Sequence, residues 1–200
     1  MNQAAPEDGR YSVERYFEMA ECGILAPDDR VELLEGLIVA MAPQSPSHVS
    51  AVHQVQHLLE SRLPRGVVVR CQASFLAGAS SVPEPDIAVV PGRAEDYWQR
   101  HPSEAHLIVE VALSSLIQDR LTKSAIYAAA GIPCYWIVNL RDNCIEVFGG
   151  PIPEQGRYGS AVRATGSDVL VIDAFPSVRF EGRELLPPPG IELGPGYLST

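Results

Sequence analysis

A single acid inside an apolar strand constrains this chain more than any other feature. Glu110 lies in the middle of Leu107-Ile108-Val109-Glu110-Val111-Ala112-Leu113. A continuous apolar run of this kind suits a strand buried on both faces. An unpaired carboxylate there is strongly disfavoured unless it takes up a proton. Glu110 therefore needs a cation, a metal ion or a strong donor beside it. A second acid, Asp86, opens another apolar run, Pro85-Asp86-Ile87-Ala88-Val89-Val90, and Lys123 follows on an expected helix.

The rest of the chain supplies elements to frame these strands. Ser12 caps an expected short helix over 13–22, with Gly23 as its stop. Residues 30–42 predict two short strands turning at Glu35-Gly36, and Ser47 to Leu63 an amphipathic helix. Alternation over Val67, Val69, Cys71, Ala73 and Phe75 marks a half-exposed strand. A loop over 78–85 leads to the Asp86 strand, and an irregular segment over 92–104 leads to the Glu110 strand. A helix is expected from about Ser115 to Ala130, ended by Gly131 and Pro133. Tyr135 to Leu140 and Cys144 to Phe148 predict two more strands, with shorter pieces near 169–172 and 178–180. This order predicts an α/β (α+β) fold, a mixed central β-sheet flanked by helices. One domain is expected over 1–186, followed by a Pro/Gly-rich tail over 187–200.

Composition narrows the function classes. The chain has 46% hydrophobic and 20% charged residues, the balance of a globular protein. No apolar run approaches the ~20 residues of a membrane span. The N-terminus lacks the basic-then-apolar order of a signal peptide, so a cytoplasmic location with no membrane partner is expected. Cys22, Cys71, Cys134 and Cys144 are widely spaced without a C-x-x-C pair, which argues against structural zinc and disulfides. The formal net charge of −10 argues against non-specific coating of nucleic acid. It is compatible with a nuclease whose basic groups are local and whose acids are screened by bound metal.

Two strand-borne carboxylates and a lysine suit metal-assisted attack on a phosphate ester. Magnesium prefers one or two carboxylates plus waters and substrate oxygens. Asp86 and Glu110 can supply them, the Val111 carbonyl can be a further ligand if the backbone opens there, and Lys123 can orient the attacking water. Carboxylates ~4 Å apart repel by roughly 4 kcal/mol at an effective dielectric of 20, which a divalent ion relieves. Plainer readings exist for each residue. Asp86 can terminate the preceding turn, and Glu110 can sit in a structural salt bridge. Lys123 follows Asp119 by four residues, the spacing of a solvated helix pair. A helical wheel puts Ile117, Leu121, Ala125 and Ala128 opposite Asp119 and Lys123, which favours a solvated pair, although Ile126 and Ala130 continue the Asp119/Lys123 stripe.

The ordered set is more specific than its parts. Val31-Glu32-Leu33-Leu34-Glu35-Gly36-Leu37-Ile38-Val39-Ala40-Met41-Ala42-Pro43 with His48, the Asp86 run, and the block Leu107 to Val138 with Asp119-Arg120, Lys123, Tyr127 and Tyr135-Trp136 resemble the Uma-type “putative restriction endonuclease” family. The resemblance runs from about Ser12 to Phe148. It implies the PD-(D/E)XK nuclease superfamily, a restriction-endonuclease-like fold, and hydrolysis of DNA phosphodiester bonds with Mg2+ or Mn2+. It implies Asp86 and Glu110 as metal ligands, Lys123 as the catalytic lysine, and Glu35 as an upstream catalytic acid. Glu35 equally suits a hairpin turn. His48 matches a histidine that opens the second helix. The superfamily's lysine two residues after the second acid is absent, since Ala112 stands there. Leu113, Cys134 and Asn139 depart from an acid, a glutamate and an aspartate common in the family.

His53 and His57 have zinc-helix spacing without an adjacent glutamate or a third ligand, so a solvated face is the expected reading. Two function classes emerge: a divalent-metal-dependent endonuclease, and a catalytically inactive nuclease-fold module that binds a protein or nucleic acid. Cutting two strands needs two sites, so a homodimer is the expected assembly.

Overall fold

In the computed structural model, which describes residues 9–191 and 193, the apolar runs join into one six-stranded sheet. Its strands are β3 (Val67–Cys71), β4 (Ile87–Pro91), β5 (Leu107–Ala112), β6 (Cys134–Asn139), β7 (Cys144–Ile152) and β8 (Arg157–Ala164), ordered β3-β4-β5-β6-β7-β8. Only β5 and β6 pair in parallel; the other neighbours are antiparallel. A parallel step needs a crossover, and the helical segment between β5 and β6 supplies it. The sheet is mixed, as the element order predicts.

Strand alternation sends side chains to two cores. On one face Ile87, Val89, Val109, Val111, Trp136 and Val138 pack beneath α2 (Pro46–Arg62) and the hairpin of β9 (Val169–Ile172) and β10 (Phe175–Glu181). On the other face Ala88, Val90, Ile108, Ala112, Tyr135 and Ile137 pack beneath the crossover, with Ile126, Tyr127 and Ala128. Glu110 and Asp86 share the alternation of Ala112 and Ala88 and so face the crossover. A smaller cluster joins α1 (Val13–Glu21) to β1 (Val31–Leu34) and β2 (Leu37–Ala40). Glu35 and Gly36, at φ 49 and 83, make the two-residue turn of that hairpin.

The crossover departs from the regular helix the sequence predicts. It consists of α3 (Leu116–Gln118), a π-turn over Asp119–Lys123, and α4 (Ser124–Ala129). The Ser124 N–H reaches back to the Asp119 carbonyl, five residues earlier. Asp119 and Lys123 are 2% and 6% exposed, whereas Ile117 and Leu121 are 75% and 68% exposed. The predicted wheel is thus inverted along the first half of the crossover. The extra residue rotates the second half by about 100°, and Ala128 turns inward with Tyr127.

Strand β8 is absent from the sequence reading, and β7 runs past Phe148. Most β8 side chains are exposed, so the apolar alternation that signals a strand is missing and pairing with β7 decides the conformation. Helix α2 starts at Pro46, one residue earlier than predicted, with the Ser45 hydroxyl accepting the His48 N–H. His53 and His57 are exposed, and all four cysteines are free. Most of the expected tail over 187–200 lies outside the described residues, as does most of the N-terminal segment. No described helix is long and apolar enough to cross a membrane.

Candidate active site

Antiparallel pairing brings the start of β4 beside the end of β5, and this places Asp86 against Glu110. The Val111 N–H donates to Asp86 Oδ2 at 2.8 Å, and the Asp86 N–H approaches Glu110 Oε2 at 3.4 Å. Neither acid is paired with an arginine. Glu110 Oε1 instead accepts from Lys123 Nζ at 3.0 Å and from the Tyr127 hydroxyl at 2.8 Å. The crossover thus reaches over the sheet to meet the carboxylate that the strand buries.

Asp86 is held from two further sides. His48 Nε2, near the start of α2, lies 3.1 Å from Asp86 Oδ2, and Gln72 Nε2 donates to Oδ1 at 3.3 Å. Gln72 has φ 47, a conformation uncommon outside glycine. Its N–H donates to the carbonyls of Pro85 at 3.1 Å and Asp86 at 3.2 Å. These backbone hydrogen bonds hold Gln72 in its strained conformation beside the acid.

The second carboxylate on Lys123 comes from Glu32, not Glu35. Glu32 is 3% exposed, with Oε2 at 3.3 Å from Lys123 Nζ and accepting the Glu84 N–H at 3.2 Å. Gln118 Nε2 donates to its other oxygen at 3.3 Å. Glu35 is exposed in the hairpin turn, where the Ser81 hydroxyl accepts its N–H, and it does not line the cleft. Strand period explains the difference: Glu32 and Leu34 alternate inward, while the turn carries Glu35 outward. Asp119 lies on the same cleft and accepts the Ser115 hydroxyl at 2.6 Å.

These groups line a cleft of about 240 Å³ whose wall includes Arg30, Gln44, Ser114 and Leu113. Four buried carboxylates (Glu32, Asp86, Glu110 and Asp119) face one buried ammonium, Lys123. The proton affinities record that imbalance. Burial, with Asp86, Asp119 and Glu32 nearby, drives the Glu110 carboxyl well above its ordinary range against the pull of Lys123. Burial also raises Asp119 to about 6. Burial pushes Asp86 up too, but His48, the Val111 N–H and Lys123 outweigh it and leave the carboxyl below its usual range. Burial disfavours the Lys123 ammonium, yet Glu110, Glu32, Asp119 and Asp86 raise its proton affinity overall. The acid neighbours thus favour the ammonium form of Lys123.

The donor set fits a hard divalent cation. Among the described residues no three His, Cys, Asp or Glu side chains are gathered for a metal ion, but magnesium asks for only one or two carboxylates. Glu110 in particular must either take up a proton or gain positive charge. The Val111 N–H already reaches Asp86 Oδ2, which sets the backbone of that residue beside the acid pair.

The structure brings together Asp86, Glu110, Val111 and Lys123, and leaves Glu35 apart. Sequence reasoning missed Glu32, Gln72 and Tyr127 as site residues and took Asp119 only as a surface partner of Lys123. Glu32 carried a readable signal, since Val31-Glu32-Leu33-Leu34 is another acid in an apolar strand. Tyr127 follows Lys123 by one turn. Gln72 carried none. Of the departures, Leu113 lines the cleft, Cys134 is core on the opposite face, and Asn139 donates to Asp142 Oδ2 and Glu146 Oε1 near the β6–β7 turn.

No curated protein matches the chain significantly. The fold is similar to the crystal structure of a “putative nuclease belonging to DUF820” from Anabaena variabilis. The TM-score is 0.70 over 87% of this chain and 96% of that one, at 14% identity, a likeness that establishes the fold. A family model described as “Putative restriction endonuclease” matches residues 13–183, and the chain belongs to that family, Uma2.

Proposed function

We propose that the protein is a Mg2+- or Mn2+-dependent endonuclease that hydrolyses DNA phosphodiester bonds in the cleft between β1, α2 and the crossover. The observation that carries this reading is the convergence of Lys123 Nζ on Glu110 Oε1 at 3.0 Å beside an Asp86 carboxylate clamped to the Val111 N–H at 2.8 Å. Asp86 and Glu110 are the proposed ligands, with the Val111 carbonyl as a third. A bound divalent ion supplies charge to polarise the phosphate and acidify a water.

The chain's own groups have distinct tasks. Asp86 stays ionised because His48 and the Val111 N–H compensate its burial. Tyr127 and Lys123 fix Glu110 in one orientation. Lys123, kept protonated by its acid neighbours, acts as a donor and positive charge toward the attacking water or phosphate, not as a general base. Glu32 takes the place proposed from sequence for Glu35, and holds Lys123 over the cleft. Cutting both strands of a duplex calls for two clefts, so a homodimer is the proposed active species, read by sedimentation. The proposed location is the cytoplasm, where widely spaced cysteines such as these stay reduced.

Plasmid nicking with Mg2+ or Mn2+ tests the reading. The parent is expected to nick, and Asp86→Ala and Lys123→Ala to lose nicking by ~100-fold or more. No nicking by the parent at any metal concentration, or unchanged nicking in both variants, rejects it. Leu113, an apolar side chain in the cleft wall, favours a second reading in which the fold binds without cutting. Metal-dependent DNA binding without nicking in the same assay identifies that case.

A further inference from the structure

The acidic cleft poses an electrostatic problem for any anionic substrate. Besides its carboxylates, the cleft is lined by three basic side chains, Arg30, His48 and Lys123. Two of them are engaged. Lys123 Nζ lies 3.0 Å from Glu110 and 3.3 Å from Glu32, and His48 Nε2 lies 3.1 Å from Asp86. Arg30 is exposed and makes no ion pair among the described residues. It acts on Glu84 through space, partly offsetting the burial that raises that acid's proton affinity, without pairing with it.

The position of Arg30 is set by the backbone. It immediately precedes β1, and its carbonyl accepts the Met41 N–H at 2.8 Å, which ties it to the end of the hairpin. Two residues on, Glu32 points into the cleft. Period-two alternation puts Arg30 on the same side, about 6.6 Å farther along the strand, at the cleft mouth. A guanidinium offers a planar fork that matches two phosphate oxygens. With a formal net charge of −10 on the chain, attraction for a polyanion must come from such local groups.

We infer that Arg30 is a phosphate-binding residue of the cleft mouth, gripping a backbone phosphodiester of the nucleic acid whose scissile bond lies over Asp86 and Glu110. This rests on the nuclease reading and deepens it, because it assigns substrate contact to a side chain outside the acid–lysine cluster. Phosphate contacts position a strand without reading its bases. Arg30 therefore contributes affinity and register but no sequence preference.

The test is binding of a fluorescent 20-base-pair DNA duplex by anisotropy, with Ca2+ in place of Mg2+, over a series of salt concentrations. Arg30→Gln is expected to weaken binding roughly tenfold at low salt and to lower the slope of log affinity against log salt by about 0.9. Arg30→Lys is expected to keep the parental slope, since the charge remains, while recovering only part of the affinity. In Mg2+ cleavage assays the loss should fall more heavily on KM than on kcat. A structural role alone would not change the salt slope. An Arg30→Gln protein with parental affinity and slope overturns the assignment and leaves the nuclease reading standing. A parent that binds no duplex at any salt concentration overturns both.

Discussion

Tyr127 donates its hydroxyl hydrogen to Glu110 Oε1 at 2.8 Å, the same oxygen that Lys123 approaches at 3.0 Å. One carboxylate oxygen is thus fixed from α4 and from the π-turn together, and the other is left toward Asp86. Tyr127→Phe removes one donor without opening a cavity. Outer partners of metal ligands typically account for 10–100-fold in affinity or activity. Tyr127→Phe is expected to lower single-turnover cleavage by about that factor, with the circular dichroism spectrum unchanged. A parental rate in this variant would show that the bond does not position Glu110.

Glu110 and Lys123 should separate stability from activity. Glu110→Gln removes one of four buried carboxylates while its amide oxygen can still accept from Lys123 and Tyr127, so its thermal midpoint in EDTA should equal or exceed the parent's while cleavage is lost. Lys123→Ala strands Glu110 and Glu32 without their shared cation. Breaking a buried ion pair from one side costs about 3–5 kcal/mol. Its midpoint should fall by roughly 6–20 °C for a chain of this size. Equal midpoints for the two variants would contradict this electrostatic account.

Asp119 gives a stability change with pH of definite sign. Its carboxyl has an ordinary value of 3.8 and is raised by burial to about 6. Between those values the unfolded chain has lost the proton that the folded one keeps, so stability falls as pH rises. The window is about pH 4 to 6, and the difference amounts to about 3 kcal/mol. Asp119→Asn removes this component. Denaturant unfolding of parent and variant in EDTA from pH 4 to 7 should give curves that converge at low pH, with the parent losing ground as pH rises. Parallel curves would exclude the effect.

Gln72 and His48 should act through Asp86. Each contacts one of its oxygens, at 3.3 Å and 3.1 Å. Gln72→Ala and His48→Ala are expected to shift the Mg2+ dependence of cleavage to concentrations roughly 10–100-fold higher. Saturating metal should restore much of the rate. A fall in rate with no change in metal dependence would place their role elsewhere.

The inverted crossover makes a simple mutational contrast. Leu121 is 68% exposed although it belongs to the apolar stripe of a regular wheel. Leu121→Gln should change stability by about 0.5 kcal/mol or less, whereas Ile126→Ala, cut from the buried face, should cost about 2–5 kcal/mol. Equal losses in urea unfolding would mean that the wheel's original face packs inward.

Local pattern carried much of the architecture. Apolar runs around Asp86 and Glu110, the alternation of β3, and the Glu35-Gly36 turn are properties of neighbouring residues, and they sufficed for a mixed sheet flanked by helices. The acid inside Leu107–Leu113 announced its need for a partner because its burial follows from its neighbours in sequence. Strand β8 was not legible, since its exposed side chains carry no alternation and only β7 makes it a strand.

Partner identity belongs to the tertiary level. Whether Glu32 or Glu35 meets Lys123 depends on which side of a hairpin faces the crossover. Whether Lys123 faces solvent or Glu110 depends on which face of the crossover meets the sheet, and a wheel groups residues by face without saying which face packs. Sequence alone determined that a buried carboxylate must be compensated, because desolvation is a property of the residue and its run. The tertiary structure decided which groups do it, because Glu32, Gln72, His48, Lys123 and Tyr127 come from separate elements and meet only where the ends of β4 and β5 lie side by side.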